Sequence, residues 1–290
     1  MGRVATRRPA VSAIITTYNE ERNIARCIES LLWCDELLVV DSHSTDRTPE
    51  IVRGYERAQL LQHTYYGAAA QKNWSIPRTR HEWLFILDAD EACTPELRAE
   101  IEALLAAGPT ADAYTIRRRV WFLGRPLRFS GWRHDRVVRL FRRGAGSYQP
   151  VRVHPKWLGA PAPPLASPME HYMVEEFDPY VMRIAKYGWW GAAQAWRDGK
   201  SAGFLKVLVR TLHRFLRTYV LQLGVLDGTR GLVFCMLQAY GTYVKWSILW
   251  SWRLNERRGI PPRLPQFESA EEERAPAPGA EQHRAHDDQA

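Results

Sequence analysis

The sequence lacks the cysteine patterns of disulfide-stapled or zinc-binding proteins. Its four cysteines, Cys27, Cys34, Cys93 and Cys235, form no CxxC pair and no Cys/His cluster with zinc spacing. We therefore expect buried, reduced thiols, as in a protein of a reducing compartment. A secretory h-region is also missing, because the apolar run at residues 11–15 that follows the first arginines is too short for one.

Internal repeats and nucleic-acid recognition motifs are absent as well. The chain nevertheless has a net charge of +8. Residues 268–290 hold seven carboxylates and two arginines, a net of −5, so the remainder carries +13. This excess suits phosphorylated ligands or anionic lipid. We expect no nucleic-acid partner, since no motif accompanies the basic residues.

From residue 11 onward, short β-branched runs alternate with helical ones. This pattern is typical of a largely parallel sheet covered by helices. The predicted strands are residues 11–18, 36–41, 59–65, 83–87, 113–122 and 136–142. The predicted helices are residues 20–32, 48–55, 68–76 and 95–107. The fold class is therefore α/β, and the polar clusters that follow the strands are expected at one edge of the sheet, where such folds bind ligands.

A proline-rich stretch near residue 160 predicts the end of the sheet domain. We assign residues 1–160 to a catalytic domain and 161–265 to a helical, amphipathic extension. Residues 266–290, poor in apolar groups, are predicted to be a disordered acidic tail.

Two segments of the extension have features of lipid-associated helices. Residues 203–223 predict a basic amphipathic helix, whose cationic face holds Lys206, Arg210, His213, Arg214 and Arg217. Residues 232–252 are almost continuously apolar and approach transmembrane length. We favour docking on an anionic membrane surface, with a true span at 232–250 as the alternative.

The most informative motif is Asp88-Ala89-Asp90, which follows a buried apolar strand. Two carboxylates delivered into a crevice suit a hard cation, Mg²⁺ or Mn²⁺. Such an ion neutralises charge on a departing nucleoside diphosphate. The alternative is a strand that merely ends in turn-forming aspartates.

Asp41 ends the second strand in the same manner, and it could accept a hydrogen bond from a base or a ribose hydroxyl. An Asx turn is the alternative, and for Ser44 and Thr45 the structural role is favoured. Trp121, Phe129 and other rings could stack on a sugar or pack in the core.

In their order along the chain, these motifs resemble those of the family 2 glycosyltransferases, which have the GT-A fold. The matching segments are Thr17-Tyr18-Asn19-Glu20-Glu21, Val39-Val40-Asp41-Ser42-His43-Ser44-Thr45-Asp46, Lys72-Asn73 and Leu87-Asp88-Ala89-Asp90-Glu91. Two further segments, Gly131-Trp132-Arg133-His134-Asp135 and Leu226-Asp227-Gly228, resemble the branch that contains bacterial lipopolysaccharide core β-glucosyltransferases.

The resemblance implies a nucleotide-sugar donor, expected to be a UDP-sugar, and a Mg²⁺ or Mn²⁺ ion. It places Asp88 near the ribose or the metal and makes Asp90 the metal ligand. The donor-binding set that it implies consists of Thr17, Tyr18, Glu20, Asp41, Asn73 and Asp88.

The resemblance also implies inversion by direct displacement, with a carboxylate that takes the acceptor proton. Relatives place a Glu after the histidine of a Val-x-Val-His segment, whereas here Pro155 follows His154. The remaining candidates are Asp135, Glu170 and His154, and we favour Asp135, which lies in an aromatic loop between strands. An ion pair with a neighbouring arginine is the alternative for Asp135, and a structural role the alternative for His154.

We therefore expect an inverting glycosyltransferase that moves glucose or another hexose onto a glycolipid or glycan of the cell envelope, such as the lipopolysaccharide core. It would be cytoplasmic and peripheral on the inner face of the cytoplasmic membrane. One alternative is a transferase that glycosylates a polyprenyl phosphate. Another, suggested by the missing Glu, is an inactive GT-A scaffold at the membrane.

Overall fold

The computed structural model describes residues 8–149 and 156–264 of the chain. The helices are α1 (Ile24–Leu31), α2 (Thr48–Arg53), α3 (Ala68–Ser75), α4 (Pro95–Ala107), α5 (Phe177–Arg197), α6 (Phe204–Leu216) and α7 (Gly228–Glu256). The strands are β1 (Val11–Thr17), β2 (Glu36–Asp41), β3 (Ala58–Gln62), β4 (Trp83–Asp88), β5 (Glu91–Ala92), β6 (Ala113–Phe122), β7 (Arg125–Pro126), β8 (Arg136–Arg142), β9 (Gly146–Tyr148), β10 (Trp157–Gly159) and β11 (Met169–Val174). The predicted acidic tail at 266–290 lies outside the described residues.

The first half of the main sheet is parallel, in the order β3-β2-β1-β4. β1, β2 and β4 are almost completely buried apolar runs, as expected of parallel strands covered on both faces. Ile24 of α1 and Leu97 of α4 pack on one face of the sheet, in the largest core cluster. Parallel pairing brings the carboxyl ends of these strands to a single edge.

Beyond β4 the sheet becomes mixed. The order continues β4-β8-β6-β11-β5, and β7 pairs with the end of β6. β8 is antiparallel to both of its neighbours, whereas β11 is parallel to β6. The predicted mixed α/β sheet is therefore confirmed, and the strands at 113–122 and 136–142 have the predicted bounds.

The position of β11 differs from the sequence prediction. The sequence assigns residues 161–265 to a helical extension, but Met169–Val174 is a strand of the main sheet, and the helices of the extension begin at Phe177. Only Tyr172 and Val174 among its six residues favour strands, so the segment has modest strand propensity of its own. Pairing with β6 supplies the stability, and the sheet extends past the predicted boundary at residue 160.

The carboxyl-terminal helices α5 and α7 lie against each other at a close approach. A Cβ atom at Gly188 would lie 2.7 Å from Val244 Cγ1, so only glycine fits there. Further along, Ala192 and Ala193 of α5 pack with Leu249 and Trp252 of α7. Small residues on one helix thus accommodate large ones on the other.

Helix α6 turns its apolar side chains outward. Its buried side chain is Val207, and Arg214, predicted on the cationic face, instead donates to Gln238 of α7 at 2.7 Å. The exposed apolar stripe consists of Leu205, Val209, Leu212 and Leu216. At the 100° spacing of helical residues, one side of the stripe is bordered by Lys206, Arg210, His213 and Arg217.

The exposed apolar surface continues past α6. A π-helical segment, Arg217–Leu221, and a 3₁₀ turn, Gly224–Asp227, connect α6 to α7. Their exposed apolar side chains are Val220, Leu221, Leu223, Val225 and Leu226. We call this surface, with the stripe on α6, the apolar face.

Within the described residues, no single helix is long and apolar enough to cross a bilayer. Two segments, Phe204–Leu221 and Gly224–Glu256, satisfy the length and composition test only as a pair, and a bend of 70° separates them.

Candidate active site at the carboxyl ends of the parallel strands

The strand register aligns the polar residues that the sequence analysis selected. Thr17 at the end of β1 pairs with Asp41 of β2, and Thr16 pairs with Asp88 of β4. These residues therefore lie at one carboxyl edge of the sheet, with the side chains of Thr17 and Asp41 on one face and those of Thr16 and Asp88 on the other. The expectation that the polar clusters gather at one edge is confirmed by this geometry.

The loops that follow β1 and β2 are bonded to each other. Asn19, which adopts a left-handed backbone at φ 53°, donates its N–H to Ser44 Oγ at 2.8 Å. Its side-chain oxygen accepts from Thr45 N–H, also at 2.8 Å. Glu20 N–H donates to Thr48 Oγ1 at 2.8 Å. These bonds fix the floor of the crevice without any ligand.

Two side chains at the end of β1 remain available to a ligand. Tyr18 exposes its ring at 54%. The hydroxyl of Thr17 is buried and has no hydrogen-bond partner among the described residues. A buried polar atom without a partner is costly, so this hydroxyl is suited to bond a bound molecule.

Asp41 is fully buried and largely committed to its own loop. Its Oδ2 accepts from Ser44 N–H at 3.0 Å and from Gln62 at 3.3 Å, and its Oδ1 accepts from the Ser44 hydroxyl. The structural role favoured for Ser44 is thus present. Since a carboxylate has about four acceptor positions, three bonds leave room for one more donor.

Asp88 lies in a cluster of buried charges, and both of its carboxylate oxygens are occupied. Oδ1 accepts from Thr16 Oγ1 at 2.7 Å and Lys72 Nζ at 2.5 Å. Oδ2 accepts from Arg139 at 2.5 Å, and the same guanidinium nitrogen donates to Glu91 at 2.8 Å. Burial raises the pKa of Asp88, but Arg139 and Lys72 outweigh it and hold the pKa well below its usual range. Asp88 is therefore a permanently ionised anchor of the strand edge.

Asp90 faces His171 across the short β5–β11 ladder. His171 Nε2 lies 3.4 Å from Asp90 Oδ2, and Tyr172 N–H donates to the Asp90 carbonyl at 2.7 Å. Burial raises the pKa of Asp90, but His171 more than offsets this and lowers it. His171 is buried, and its Nδ1 has no partner among the described residues.

Asp90 and Glu20 both line a cavity of about 330 Å³ at this edge. Burial, and next to it the charge of Asp90, raises the pKa of Glu20 to about 7. Arg183 of α5 lines the same cavity. The two neighbouring carboxyls form a site with an affinity for positive charge.

The fit of a divalent cation can be judged from these donors. Among residues 8–149 and 156–264, no three His, Cys, Asp or Glu side chains are arranged to hold a metal ion. Asp90 and His171 fit as two ligands, which leaves coordination positions for diphosphate oxygens and water. Asp88 is the poorer ligand, because Lys72 and Arg139 already neutralise its charge, although its Oδ2 keeps one acceptor position; its role at the metal stays a prediction. The geometry thus favours Asp90 with His171 rather than Asp90 with Asp88.

Asn73 does not join the strand-end residues. Its Nδ2 donates to the carbonyl of Tyr148 at 2.8 Å, and its Oδ1 accepts from Tyr148 N–H at 2.9 Å. Both ends of the amide are therefore used to hold β9 against α3, and donor binding by Asn73 stays a prediction. The preceding residue, Lys72, is the one that reaches Asp88.

Two of the three candidate proton acceptors are ion-paired with arginines of β6. Asp135 Oδ2 accepts from Arg118 Nε at 2.6 Å. Glu170 Oε2 accepts from Arg119 Nε at 2.9 Å and from Trp121 Nε1 at 2.6 Å. The alternative weighed for Asp135, an ion pair, is thus present, although with Arg118. His154 lies outside the described residues.

A larger cavity of about 650 Å³ lies beside these acids. It is lined by Arg117, Arg118, Arg119, Trp121, Pro126, Leu127, Arg128, Phe129, Trp132 and Arg133. Trp132 in its wall lies edge-on to the ring of His171, with ring centroids 6.5 Å apart, so this cavity, which we call the arginine cavity, lies next to the Asp90 site. Trp121, Phe129 and Trp132 thus line a cavity, whereas Phe122 is buried in the core.

The loop over the arginine cavity is held by Asp227, which follows the apolar face. Its carboxylate accepts from the backbone N–H groups of Arg128 at 2.9 Å and Phe129 at 3.0 Å. It also accepts from the Ser130 hydroxyl at 2.8 Å. Ser130 and Gly131 both have positive φ angles, so the turn depends on such external bonds.

Several site residues were not identified from sequence. Arg139 is one of them: it could equally have been a solvated residue of its strand, but it is buried and paired with Asp88. His171 was overlooked as a partner of Asp90 because β11 was not recognised as a strand. Arg117–Arg119 gave a usable signal, since three consecutive cations inside a predicted strand are unusual unless acids or a ligand compensate them.

Comparisons with known proteins point to one family, the glycosyltransferases of family 2. The family described as "Glycosyl transferase family 2" matches residues 12–153. The lipopolysaccharide core biosynthesis glycosyltransferase LpsC of Rhizobium meliloti (strain 1021) is 30% identical over 247 residues, which cover 80% of this chain and 92% of that protein. An uncharacterized glycosyltransferase of Rickettsia prowazekii (strain Madrid E) is 31% identical over 143 residues, which cover 48% of each chain.

Solved structures show only distant similarity. The mannosyltransferase PcManGT from Pyrobaculum calidifontis, in complex with GDP-Man and Mn²⁺, has a TM-score of 0.48 at 17% identity, over 86% of this chain and 89% of that one. Residues 1–349 of TarS from S. aureus, in complex with UDP-GlcNAc, give a TM-score of 0.47 at 15% identity, over 87% and 92%. Similarity at this level does not identify a ligand or a mechanism for the chain.

Proposed function

Because this chain belongs to glycosyltransferase family 2, we propose that it transfers a hexose from a nucleotide-sugar to a hydroxyl of a lipopolysaccharide-core glycan. The observation that carries the proposal is the position of Thr17, Asp41 and Asp88 at one sheet edge, with Asp90 beside it. The name of the Rhizobium relative supports the choice of acceptor. Glucose is the expected hexose and a UDP-sugar the expected donor.

The donor would bind in the crevice at this edge. The free hydroxyl of Thr17, the exposed ring of Tyr18 and the remaining acceptor position of Asp41 are available to a nucleoside. Asp88, held by Lys72 and Arg139, keeps this edge ordered. The diphosphate would then lie toward Asp90 and Glu20.

Asp90 and His171 would hold the divalent cation, which supplies positive charge to the departing diphosphate. An imidazole among the ligands favours Mn²⁺ over Mg²⁺, since Mg²⁺ prefers oxygen donors in a strict octahedron. Arg183, which lines the same cavity, adds a fixed positive charge.

The acceptor hydroxyl would attack from the side of the arginine cavity. Inversion requires a group that takes its proton as the new bond forms. Asp135 is the better placed of the two described candidates, because its side chain is 24% exposed and contacts one arginine, whereas Glu170 is 11% exposed and contacts Arg119 and Trp121.

The apolar face supports a peripheral position on the inner membrane surface. Apolar side chains on a soluble helix normally point to the core, but on α6 they point outward. The cations that border the stripe match anionic headgroups, and insertion of the leucines adds a second, reversible attraction. A lipid surface is thus the occupant that fits both the apolar and the charged part of this face.

A panel of nucleotide-sugars, each tested for hydrolysis with and without Mn²⁺, examines the donor half of the proposal. In Asp90→Asn, hydrolysis should fall about 100-fold, and Mn²⁺ binding measured by electron paramagnetic resonance should weaken at least about tenfold. Glu56→Gln, an exposed acid remote from the site, should match the wild type. Hydrolysis that is unchanged in Asp90→Asn would contradict the assigned role.

The acceptor half of the proposal is tested against its alternatives by supplying different acceptors to the protein. Release of nucleoside diphosphate that depends on lipid-A core, and not on undecaprenyl phosphate, supports the proposal. The opposite preference identifies a polyprenyl-phosphate transferase. A chain that neither binds nor hydrolyses any nucleotide-sugar is a scaffold.

A further inference from the structure

The arginine cavity combines five guanidinium groups with three aromatic rings. At about 650 Å³ it is twice as large as the cavity at Asp90 and has the size of a site for a sizeable organic ligand. No residue of the donor-binding set lines the cavity, so its charge and its rings have no task in donor binding as described above.

Positive charge in the cavity exceeds what its acids neutralise. Arg118 is paired with Asp135 and Arg119 with Glu170. By contrast, Arg117, Arg128 and Arg133 form no ion pair with any residue in the described ranges. Three cations that face a common cavity repel each other, and an anionic ligand would relieve that repulsion.

The aromatic residues indicate that the anion is part of a larger molecule. Trp121, Phe129 and Trp132 present rings to the same space, and an apolar ring packs well on the C–H face of a pyranose. Trp132 Nε1 is buried and has no hydrogen-bond partner among the described residues. A small inorganic anion would leave these rings and this donor unused.

We propose that the arginine cavity binds the acceptor, and that the acceptor is a saccharide carrying phosphate or carboxylate groups. This proposal rests on the proposed function, because it assigns the second substrate of the same reaction. Arg117, Arg128 and Arg133 bind the anionic groups, while the rings hold the sugar. Asp135 and Glu170 are the ion-pair partners of Arg118 and Arg119 in the cavity wall, so they then lie beside the acceptor, where its hydroxyl would present its proton.

Isothermal titration of the full chain tests the proposal with four probes: glucose 6-phosphate, glucuronate, glucose and inorganic phosphate. The two anionic sugars should bind at least about fivefold more tightly than glucose, and a rise in salt should weaken them. Either anionic sugar should also bind more tightly than inorganic phosphate, because only the sugars use the rings. Comparison of glucose 6-phosphate with glucuronate distinguishes a phosphate-bearing from a carboxylate-bearing acceptor.

Variants Arg117→Ala, Arg128→Ala and Arg133→Ala should each weaken the preferred anionic sugar about fivefold or more. Arg53→Ala, which removes an exposed arginine on α2, is the matched control and should bind like the wild type. Equal binding of glucose and the anionic sugars, equal binding of inorganic phosphate, or wild-type binding by all three variants would overturn the proposal.

Hydrolysis of the nucleotide-sugar donor in the same variants keeps this proposal distinguishable from the proposed function. If the donor is hydrolysed normally but no variant changes saccharide binding, only the acceptor assignment fails. If anionic sugars bind as expected but no donor is bound or hydrolysed, the proposed transferase function fails and the saccharide site remains.

Discussion

The carboxylate of Asp227 lies 2.8 Å from the hydroxyl of Ser130, although 97 residues separate the two in sequence. The bond joins the loop over the arginine cavity to the turn that carries Leu226 and Val225 of the apolar face. One of the two segments that resemble the lipopolysaccharide-core branch, at Asp227, is therefore bonded to the residue that directly precedes the other, which begins at Gly131. A glycolipid acceptor held at the membrane would meet both.

Asp227→Ala should impair acceptor use more than donor use. The change leaves the N–H groups of Arg128 and Phe129 without partners and should lower the free energy of unfolding by about 2 kcal/mol or more. The loosened loop should raise the KM for the acceptor, while metal-dependent hydrolysis of the donor stays within about twofold of wild type. Steady-state kinetics and urea unfolding measure these effects.

Ser130→Ala is the milder variant, since it removes one of the three bonds, and it should shift the KM for the acceptor in the same direction by less. Glu56→Ala serves as the control for loss of a carboxylate. An equal loss of donor hydrolysis and acceptor transfer in both loop variants would mean that Asp227 only stabilises the fold.

Arg139→Met should destabilise the protein strongly. Arg139 is 3% exposed and holds both Asp88 and Glu91, so its removal leaves buried carboxylates with too little positive charge. Breaking a buried ion pair in this way costs about 3–5 kcal/mol. Chemical denaturation measures the loss.

Arg142→Met on the same strand provides a matched control. Arg142 pairs with Glu82 and Asp112, both more than half exposed, so its removal should cost about 1 kcal/mol or less. Similar losses in the two variants would show that the buried cluster contributes no more than a surface ion pair.

The sequence predicted the parallel half of the fold well, because each step there is local. Apolar runs such as β4 end in polar residues, and parallel pairing then dictates that Asp41 and Asp88 share an edge. The helix at Pro95–Ala107 begins at a proline and ends before Gly108, and its predicted bounds agree with the structure.

The partners of the site residues were less predictable, because they depend on contacts between distant segments. His171 reaches Asp90 only because β11 inserts beside β6, and nothing local to Met169–Val174 specifies that pairing. In the same way, Asn73 and Lys72 are neighbours in sequence, yet only the helix orientation decides which of them reaches Asp88. A motif names the residues of a site but not their partners.

Glu100 should make stability depend on pH, because it fixes the start of β11. Its carboxylate accepts from Ala166 N–H at 2.8 Å and Ser167 N–H at 2.7 Å. Burial raises the pKa of Glu100, but these bonds outweigh it and lower the pKa. A carboxyl with a lowered folded pKa stabilises fully above its unfolded pKa, about 4.3, and the stabilisation is lost as pH falls through the folded value.

Glu100→Gln should therefore be less stable than wild type by about 1–2 kcal/mol at pH 7, and the difference should shrink as the pH falls below about 4. Urea denaturation at a series of pH values measures it. The nearby Glu96→Gln, an exposed residue of the same helix, is the control. If the difference in the free energy of unfolding between wild type and Glu100→Gln stays constant down to pH 3, the ionised carboxylate of Glu100 is not the source of the stabilisation.

Charge substitutions on the apolar face should release the protein from lipid. Leu212 and Leu216 are 59% and 45% exposed on α6, so glutamate at either position should not disturb the core. Each substitution removes the favourable free energy of inserting a leucine into the lipid and adds a negative charge that anionic headgroups repel. Sedimentation with vesicles of mixed neutral and anionic lipid should show at least about tenfold weaker binding for Leu212→Glu/Leu216→Glu.

Leu158→Glu controls for the loss of an exposed leucine, because Leu158 is 51% exposed on β10, away from α6. Arg217→Gln should weaken binding to anionic vesicles and reduce its salt dependence, while binding to neutral vesicles stays unchanged, since its contribution is electrostatic. Donor hydrolysis should persist in all three, as none of the positions lies at the strand edge. If the double variant still sediments with lipid like the wild type, the apolar face has a different occupant, and the stripe of leucines on α6 must be covered by protein rather than by membrane.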